Sequence, residues 1–401
     1  LGQSPNKGRA LVPYARHSIG GHERAAVARS LASPWVAQGP LTGDFERGLA
    51  RAIGARDVVA VSSGTAALHV ALAALGVGPG DEVIVPPLTF VATANAVLAC
   101  GATPVFADVE PDTLNLDPAA VARATTRRTR GAIPVHYAGH PADVDAIADA
   151  LGPRRFVLED ACHALGAKVG KRNAGALGDA ACFSFHPAKA ITTGEGGAVA
   201  TDRVDLARAA RLLRDHGLER EREDHVGLGL PRALHAEQEG AWVYEMQRLG
   251  ANHRLSEPQA ALGLAQLERL TAFLRQRRAL ARAYAADLAD EPALRLPTER
   301  RGVRSAWHLY AVRVRHDALR GGRAALFDAL RTRGIGVQVH YVPVHLQPFY
   351  RERLGHRWGA FPVAESAYLE LLSLPLFPTL SARDRGRVVA TLLGEIARLR
   401  R

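Results

Sequence analysis

An α/β protein with three layers around a mostly parallel sheet is the fold class that this sequence predicts. Short apolar runs alternate with helical stretches, most junctions carry turn residues, and 401 residues, 47% hydrophobic and 23% charged, suffice for one large domain and a smaller one. In chain order, Val58–Val61 is a strand that turns through Gly64 into an apolar helix over Ala66–Leu75. Val83–Val85, Thr103–Phe106, Ala132–Val135 and Phe156–Leu158 are short strands between helical stretches, and Ala181–Phe185 is a buried strand ended by Pro187. Thr192–Gly197 is a tight turn before the strand Ala198–Ala200. Leu218–Tyr244, with mixed charge, glycines and Pro231, breaks the alternation as a mobile surface excursion. One long helix, roughly Glu257–Leu288, then leads into the smaller part. The expected division is a loose tail over 1–13, a large domain over 14–265 and a small α+β domain over 266–401.

Chemistry is concentrated near the middle. The chain uses arginine almost wherever a cation stands: of 51 Lys+Arg only Lys7, Lys168, Lys171 and Lys189 are lysines. Lys189 lies between two apolar strands, and its amine can form a Schiff base, which a guanidinium cannot. Read alone, it is equally an ordinary surface residue. Phe156-Val-Leu-Glu-Asp160 is an apolar run ending in acid, which in a parallel sheet places Asp160 at the rim where ligands bind. A carboxylate there can keep a pyridine nitrogen protonated, as pyridoxal phosphate requires; Glu159 and Asp160 also read as the acidic opening of a helix. The Ser63-Gly64-Thr65-Ala66 turn offers free N–H groups of Gly64, Thr65 and Ala66 to an anion such as a phosphate, and it also reads as a plain helix cap.

Ser63-Gly-Thr-Ala-Ala-Leu68, Thr89-Phe-Val-Ala-Thr-Ala-Asn95, Glu159-Asp-Ala-Cys-His-Ala-Leu-Gly166, Ser184-x-His186-x-x-Lys189 and Gly250-Ala-Asn-His-Arg254 follow in order. Together they resemble the DegT/DnrJ/EryC1/StrS family of sugar aminotransferases, of fold-type I, from about Tyr14 to the C-terminus. Within it, His186–Gly197 and Val339–Pro348 most resemble the C4 aminotransferases of the pseudaminic acid pathway, which act on a UDP-linked 4-keto-6-deoxy-N-acetylhexosamine. The resemblance implies pyridoxal 5′-phosphate covalently held by Lys189, with Asp160 on the ring nitrogen and Phe90 on one ring face. His163 would meet the phenolic edge or the other face, where many relatives have glutamine. Ser184 with Gly64, Thr65 and Ala66 would hold the phosphate, and Asn252 would reach the cofactor of a second subunit in a homodimer with shared sites. Tyr14, Trp35, His186, His340 and Tyr341 would line the sugar-nucleotide site, and L-glutamate would be the amino donor. His253 departs from the aromatic residue expected there. The related sugar 3-dehydratases carry histidine in place of the Schiff-base lysine, so Lys189 argues against that branch.

The formal net charge of +11 raises the question of nucleic acid, but the arginines are spread over many segments with no sustained basic block, and the surface reads as that of a basic enzyme drawing in a diphosphate. A non-catalytic cofactor-binding regulator is the rival from another class. Cys100, Cys162 and Cys182 lie in apolar segments without metal-ligand spacing, so no metal is expected, and their odd number suits reduced thiols and a cytoplasmic setting. No membrane span is expected: Val58–Val77 is broken by serines, glycines and a histidine. His308, His340 and His345 each also read as satisfied structural histidines.

Overall fold

Val58–Val61 and Val83–Val85 are apolar along their whole length because helices cover both faces of the sheet they enter, so neither side of these strands meets water. The computed structural model describes residues 11–401, save the side chains at 235, 236 and 238. The N-terminal helices α1 (Gly21–Leu31) and α2 (Pro40–Ile53) precede β1 (Asp57–Val61) and α3 (Gly64–Ala74). Then follow β2 (Glu82–Val85), α4 (Ala92–Ala99), β3 (Thr103–Phe106), α5 (Pro118–Ala124), β4 (Thr129–Ala132), α6 (Val144–Leu151) and β5 (Phe156–Asp160). A small antiparallel pair, β6 (Lys168–Val169) and β7 (Arg172–Asn173), leads to β8 (Ala180–Ser184), β9 (Gly197–Thr201) and α7 (Val204–Arg214).

The seven-stranded sheet runs β1-β9-β8-β5-β4-β2-β3, parallel throughout except for β9, which is antiparallel to both neighbours. This is the mostly parallel, helix-covered sheet that the resemblance to fold-type I enzymes implies. The register decides what meets at its carboxyl edge. Asp160, last in β5, pairs with Cys182; Ser184, last in β8, pairs with Gly197, which also pairs with Val61 at the end of β1.

Beyond the sheet, β10 (Leu218–Glu219) pairs with β11 (Glu245–Met246), and α8 (Glu257–Glu268) and α9 (Leu270–Leu288) lead to the C-terminal part. There β12 (Leu294–Arg295), β14 (Tyr310–Val314) and β15 (Leu371–Leu374) form a second sheet, while β13 (Val303–Arg304) joins β6. Helices α10 (Gly322–Thr332), α11 (Pro348–Leu354), α12 (Pro362–Glu370) and α13 (Ala382–Leu399) complete the chain. Tyr284, Val312, Leu326, Leu330, Leu372, Val388 and Leu392 pack a core of their own around that second sheet.

Several elements depart from the sequence expectation. The strand expected over Ala132–Val135 lies earlier, at Thr129–Ala132, because Pro134 has no N–H to give a ladder; beyond Ala132 only the bridge Val135 to Asp160 remains. The single helix expected over Glu257–Leu288 is two, turning at Arg269, where Arg269 and Gln266 reach back to Glu23 and to the Ser18 carbonyl. The helix expected from Ala66 starts at Gly64. Leu218–Tyr244 does leave the sheet, but it is anchored: the Glu245 carboxylate accepts the N–H groups of Val226 (2.7 Å) and Gly227 (2.6 Å). Of the segment read as a loose tail, residues 1–10 lie outside the described residues, and Val12 is buried in a bridge with Ile335.

Candidate active site

Three turns converge at the carboxyl edge of the sheet. The first joins β1 to α3. Ser63 caps the helix, its Oγ accepting the Ala66 N–H at 3.1 Å, while the N–H groups of Gly64 and Thr65 have no acceptor among the described residues. Of the three amides expected to be free, Ala66 is therefore already committed to the cap. Side chains press on this turn: a Cβ at Gly64 would stand 2.8 Å from Ser184 Cβ and 3.3 Å from Cys162 Sγ. A Gly64→Ala variant is expected to lose about 1–3 kcal/mol of stability from overpacking, together with most of its cofactor retention; thermal melts and gel-filtered spectra measure both. Retained cofactor at wild-type level would remove Gly64 from the site.

The second turn follows β8. Ser184 Oγ accepts weakly from the His186 N–H (3.5 Å), His186 is exposed, and Lys189 sits half-buried in the turn closed by its N–H to the His186 carbonyl (2.9 Å). Among the described residues the Lys189 amine makes no hydrogen bond or ion pair. Burial lowers its pKa, and the nearby Cys162 and Asp160 side chains oppose that shift only in part. An amine easier to deprotonate is a better nucleophile at neutral pH.

The third turn ends β5. Because side chains alternate along a strand, Glu159 and Asp160 face opposite ways. The fully buried Glu159 accepts from the N–H groups of Gly175 (2.8 Å), Leu177 (2.8 Å) and Gly178 (2.9 Å) and lies 2.8 Å from His136 Nε2. Burial works against its charge, but these hydrogen bonds win and hold its pKa below the usual carboxylate range. Asp160 faces the site instead. Its Oδ2 accepts from Thr93 Oγ1 (2.9 Å) and its Oδ1 from the Cys162 N–H (3.2 Å). No helix follows, since residues 162–166 form turns, so the reading of this acid pair as a helix opening fails.

His163, also buried, places Nε2 3.1 Å from the Tyr341 hydroxyl. Burial and neighbouring groups push the Tyr341 pKa well up, so the phenol keeps its proton and is able to donate it to Nε2. With the phenol as donor, neutral His163 carries its own proton on Nδ1, which has no hydrogen-bond partner among the described residues. Burial lowers the His163 pKa well below its ordinary value, and the positive fields of Lys189, His340 and His136 add to that. His340, 4.9 Å from the Tyr341 ring and 5.7 Å from Tyr14, lies with its Nδ1 2.8 Å from Ser373 Oγ; burial, then Lys189, lowers its pKa to about 4.

The structure thus brings together Asp160, His163, Lys189, Tyr341, His340 and Tyr14. Phe90 is near the group, 6.0 Å from the Tyr341 ring, yet 57% exposed. Trp35 is equally exposed and stands apart beside Gly39 at the start of α2, with no described ring or hydrogen-bond contact to His340 or Tyr341. Asn252 is exposed next to His253, whose carbonyl accepts the Ser62 N–H (2.8 Å) and so supports the α3 turn. Sequence reasoning gave no role to Thr93 or to Thr89, whose hydroxyl lies 2.8 Å from that of Thr93. Their spacing of four residues at the entry to α4 was the available signal. Among the described residues no cluster of His, Cys, Asp or Glu is placed to hold a metal ion, and no helix is long and apolar enough to cross a membrane.

These donors suit one kind of occupant. An unpartnered amine, a carboxylate fixed by Thr93, an unpartnered imidazole nitrogen and two open amides at a helix start suit the aldehyde, ring nitrogen, ring oxygen and phosphate of pyridoxal phosphate. Comparison with known proteins points the same way. The sequence pattern of the DegT/DnrJ/EryC1/StrS aminotransferase family matches residues 17–393. The spore coat polysaccharide biosynthesis protein SpsC of Bacillus subtilis is 40% identical over 381 residues, covering 94% of this chain and 95% of its own. DesV of S. venezuelae, solved in complex with a ketimine intermediate, superposes with a TM-score of 0.83 at 37% identity, over 94% of this chain and 95% of its own. Helicobacter pylori PseC, an aminotransferase involved in the biosynthesis of pseudoaminic acid, gives a TM-score of 0.87 at 28% identity, over 97% of this chain and 100% of its own.

Proposed function

From the premise that this chain belongs to the DegT/DnrJ/EryC1/StrS aminotransferase family, and is a sugar aminotransferase, we propose that it moves an amino group from L-glutamate to C4 of a nucleotide-linked 4-keto-6-deoxy-N-acetylhexosamine. The observation that carries this reading is Lys189: a half-buried amine with lowered pKa and no described partner, in one cluster with Asp160 and His163. The likeness to PseC, an aminotransferase involved in the biosynthesis of pseudoaminic acid, supports a sugar of that kind, and the choice of C4 rests on the resemblance carried by His186–Gly197 and Val339–Pro348. Pyridoxal phosphate, when bound, supplies an electron sink through which an amino acid and a ketone exchange an amino group.

The chain's own residues do the rest. Lys189 Nζ holds the cofactor covalently, and once released it carries a proton to and from the reacting carbon. Asp160 keeps a proton on the ring nitrogen, and the Thr93 hydroxyl fixes that carboxylate in place. The N–H groups of Gly64 and Thr65, with Ser184 Oγ, hold the phosphate, while Ala66 shapes the turn through its cap. His163 presents its Nδ1–H to the ring, and Phe90 covers a ring face. Tyr14, His340 and Tyr341, which lie together, receive the sugar nucleotide, with the exposed His186 and Trp35 as its further contacts.

A homodimer completes the site in this reading. Trp242, Tyr244, Met246 and Leu249 are exposed in the anchored excursion just before Asn252, an apolar group that a second copy would cover while Asn252 reaches the neighbouring cofactor. Three free cysteines and a part of the chain over 266–401 with its own core suit a two-domain cytoplasmic enzyme.

The test is the visible absorption spectrum of protein loaded with pyridoxal phosphate, before and after L-glutamate. A visible band that fades on adding glutamate is expected, followed by parallel initial-rate lines when glutamate and a 4-keto sugar nucleotide are varied. A band indifferent to every amino acid, or its absence, overturns the proposal, and product analysis separates C4 from C3 amination.

A further inference from the structure

Trp307 and His308 have no part in the chemistry assigned so far, yet the fold constrains them heavily. Trp307 has φ +50°, a left-handed conformation rare for so bulky a residue, and Ala138 opposite it has φ +56°. The two segments are laced together: the N–H groups of His308 and Leu309 donate to the Ala138 carbonyl (2.8 and 3.2 Å), and Ala306 N–H donates to that of Gly139 (2.9 Å). Gly139 admits no side chain, since a Cβ there would stand 2.8 Å from Trp307 N, 2.9 Å from His308 N and 3.0 Å from the His163 carbonyl. From the other side comes Arg277 of α9, 2% exposed. Its Nη1 donates to the carbonyls of Trp307 (3.3 Å), His308 (3.2 Å) and Leu376 (3.0 Å), and no carboxylate pairs with it among the described residues. Burial pushes its pKa down to about 10. A buried guanidinium without a counter-ion is costly, so a strained turn held by one is a structural commitment rather than an accident of packing.

That commitment delivers the His308 ring 4.2 Å from the His163 ring, tilted by 36°. We propose that His308 is a positioning residue for His163: held by the left-handed turn at Trp307 and by Arg277, it braces one face of the His163 imidazole while the Tyr341 hydroxyl fixes its Nε2 edge. His163 then offers its Nδ1–H in a single orientation. Burial first, and then the positive fields of Lys189, His340, His136 and Arg277, lower both pKa values, and the Tyr341 phenol that meets Nε2 keeps its proton, so both rings stay neutral. The purpose of the brace rests on the pyridoxal-phosphate reading; its geometry does not.

The experiment separates the two. In the ¹⁵N-histidine-labelled apoprotein, the His163 side-chain signals are identified by their loss in His163→Gln. They are expected to show one neutral tautomer, protonated at Nδ1, with no titration between about pH 5.5 and 8. His308→Phe keeps a ring against His163 and should preserve that state, whereas His308→Ala and the more soluble ringless variant His308→Gln should give averaged tautomers. In the loaded protein, the pH midpoint of the visible band should move by about one unit or more in the ringless variants and stay within a few tenths of a unit in His308→Phe. If the ringless variants merely melt earlier, with the His163 tautomer and the band midpoint unchanged, His308 is packing and the proposal is overturned. A wild-type protein with no visible band would overturn the proposed function, and the apoprotein signals would still decide the role of His308.

Discussion

Replacing Lys189 with alanine is expected to abolish steady-state amino transfer while leaving the fold intact. The residue sits in a turn after β8, half-buried, and its amine stabilises nothing described: no hydrogen bond or ion pair is lost. Its ammonium form is disfavoured by burial, so removal should change stability by no more than about 0.5 kcal/mol in either direction. Chemically the loss is expected to be complete: of the three remaining lysines, Lys7 lies outside the described residues, and Lys168 and Lys171, on the β6–β7 hairpin, make no described contact with Asp160 or His163. The checks are turnover with glutamate and a keto sugar nucleotide, and a thermal melt of the same preparation. Appreciable turnover in Lys189→Ala would remove the central claim, and a large fall in melting temperature would show that the turn depends on this side chain.

Asp160→Asn is expected to fold, to retain part of its cofactor and to lose about 10²- to 10³-fold in rate, the scale of removing one preorganised electrostatic partner. The local network can adapt. Thr93 now donates to Oδ2; beside an amide nitrogen it can turn, accept from Nδ2 and donate to Thr89 Oγ1, 2.8 Å away. The other oxygen keeps the Cys162 N–H. The structural cost is then about one hydrogen bond, roughly 1 kcal/mol, and the rate loss reports the missing charge rather than a collapsed site. Rate at wild-type level would mean that Asp160 is a structural acid, like its neighbour Glu159.

How much of this was readable along the chain depends on how local the signal is. Lys189 stood out because lysine is rare here and because Pro187 and a glycine turn isolate it between apolar strands. Asp160 was readable as the end of an apolar run, and the Gly64 turn as the junction of a strand and an apolar helix. Other features had no local mark. The break between α8 and α9 comes without glycine or proline, from contacts of Gln266 and Arg269 with Ser18 and Glu23 across some 250 positions, so periodicity alone read one helix. The commitment of the Ala66 amide follows from a cap geometry that the Ser-Gly-Thr letters permit but do not require.

By itself, then, the sequence determined the alternation of strands and helices and the family, and it singled out Lys189 as the candidate amine. Each of these is carried by neighbouring residues through side-chain period, turn chemistry or functional-group type. Only the tertiary structure decided that Thr93 holds Asp160 from 67 positions away, that the Tyr341 hydroxyl meets Nε2 of His163 from 178 positions away, and that His308 lies against His163. It also left Trp35 apart from the rim that Tyr14 joins. The reason is physical: sheet register and the packing of the C-terminal part choose among many possible partners for a polar side chain, and the free energy of that choice is spread over the whole core rather than over the residues that meet.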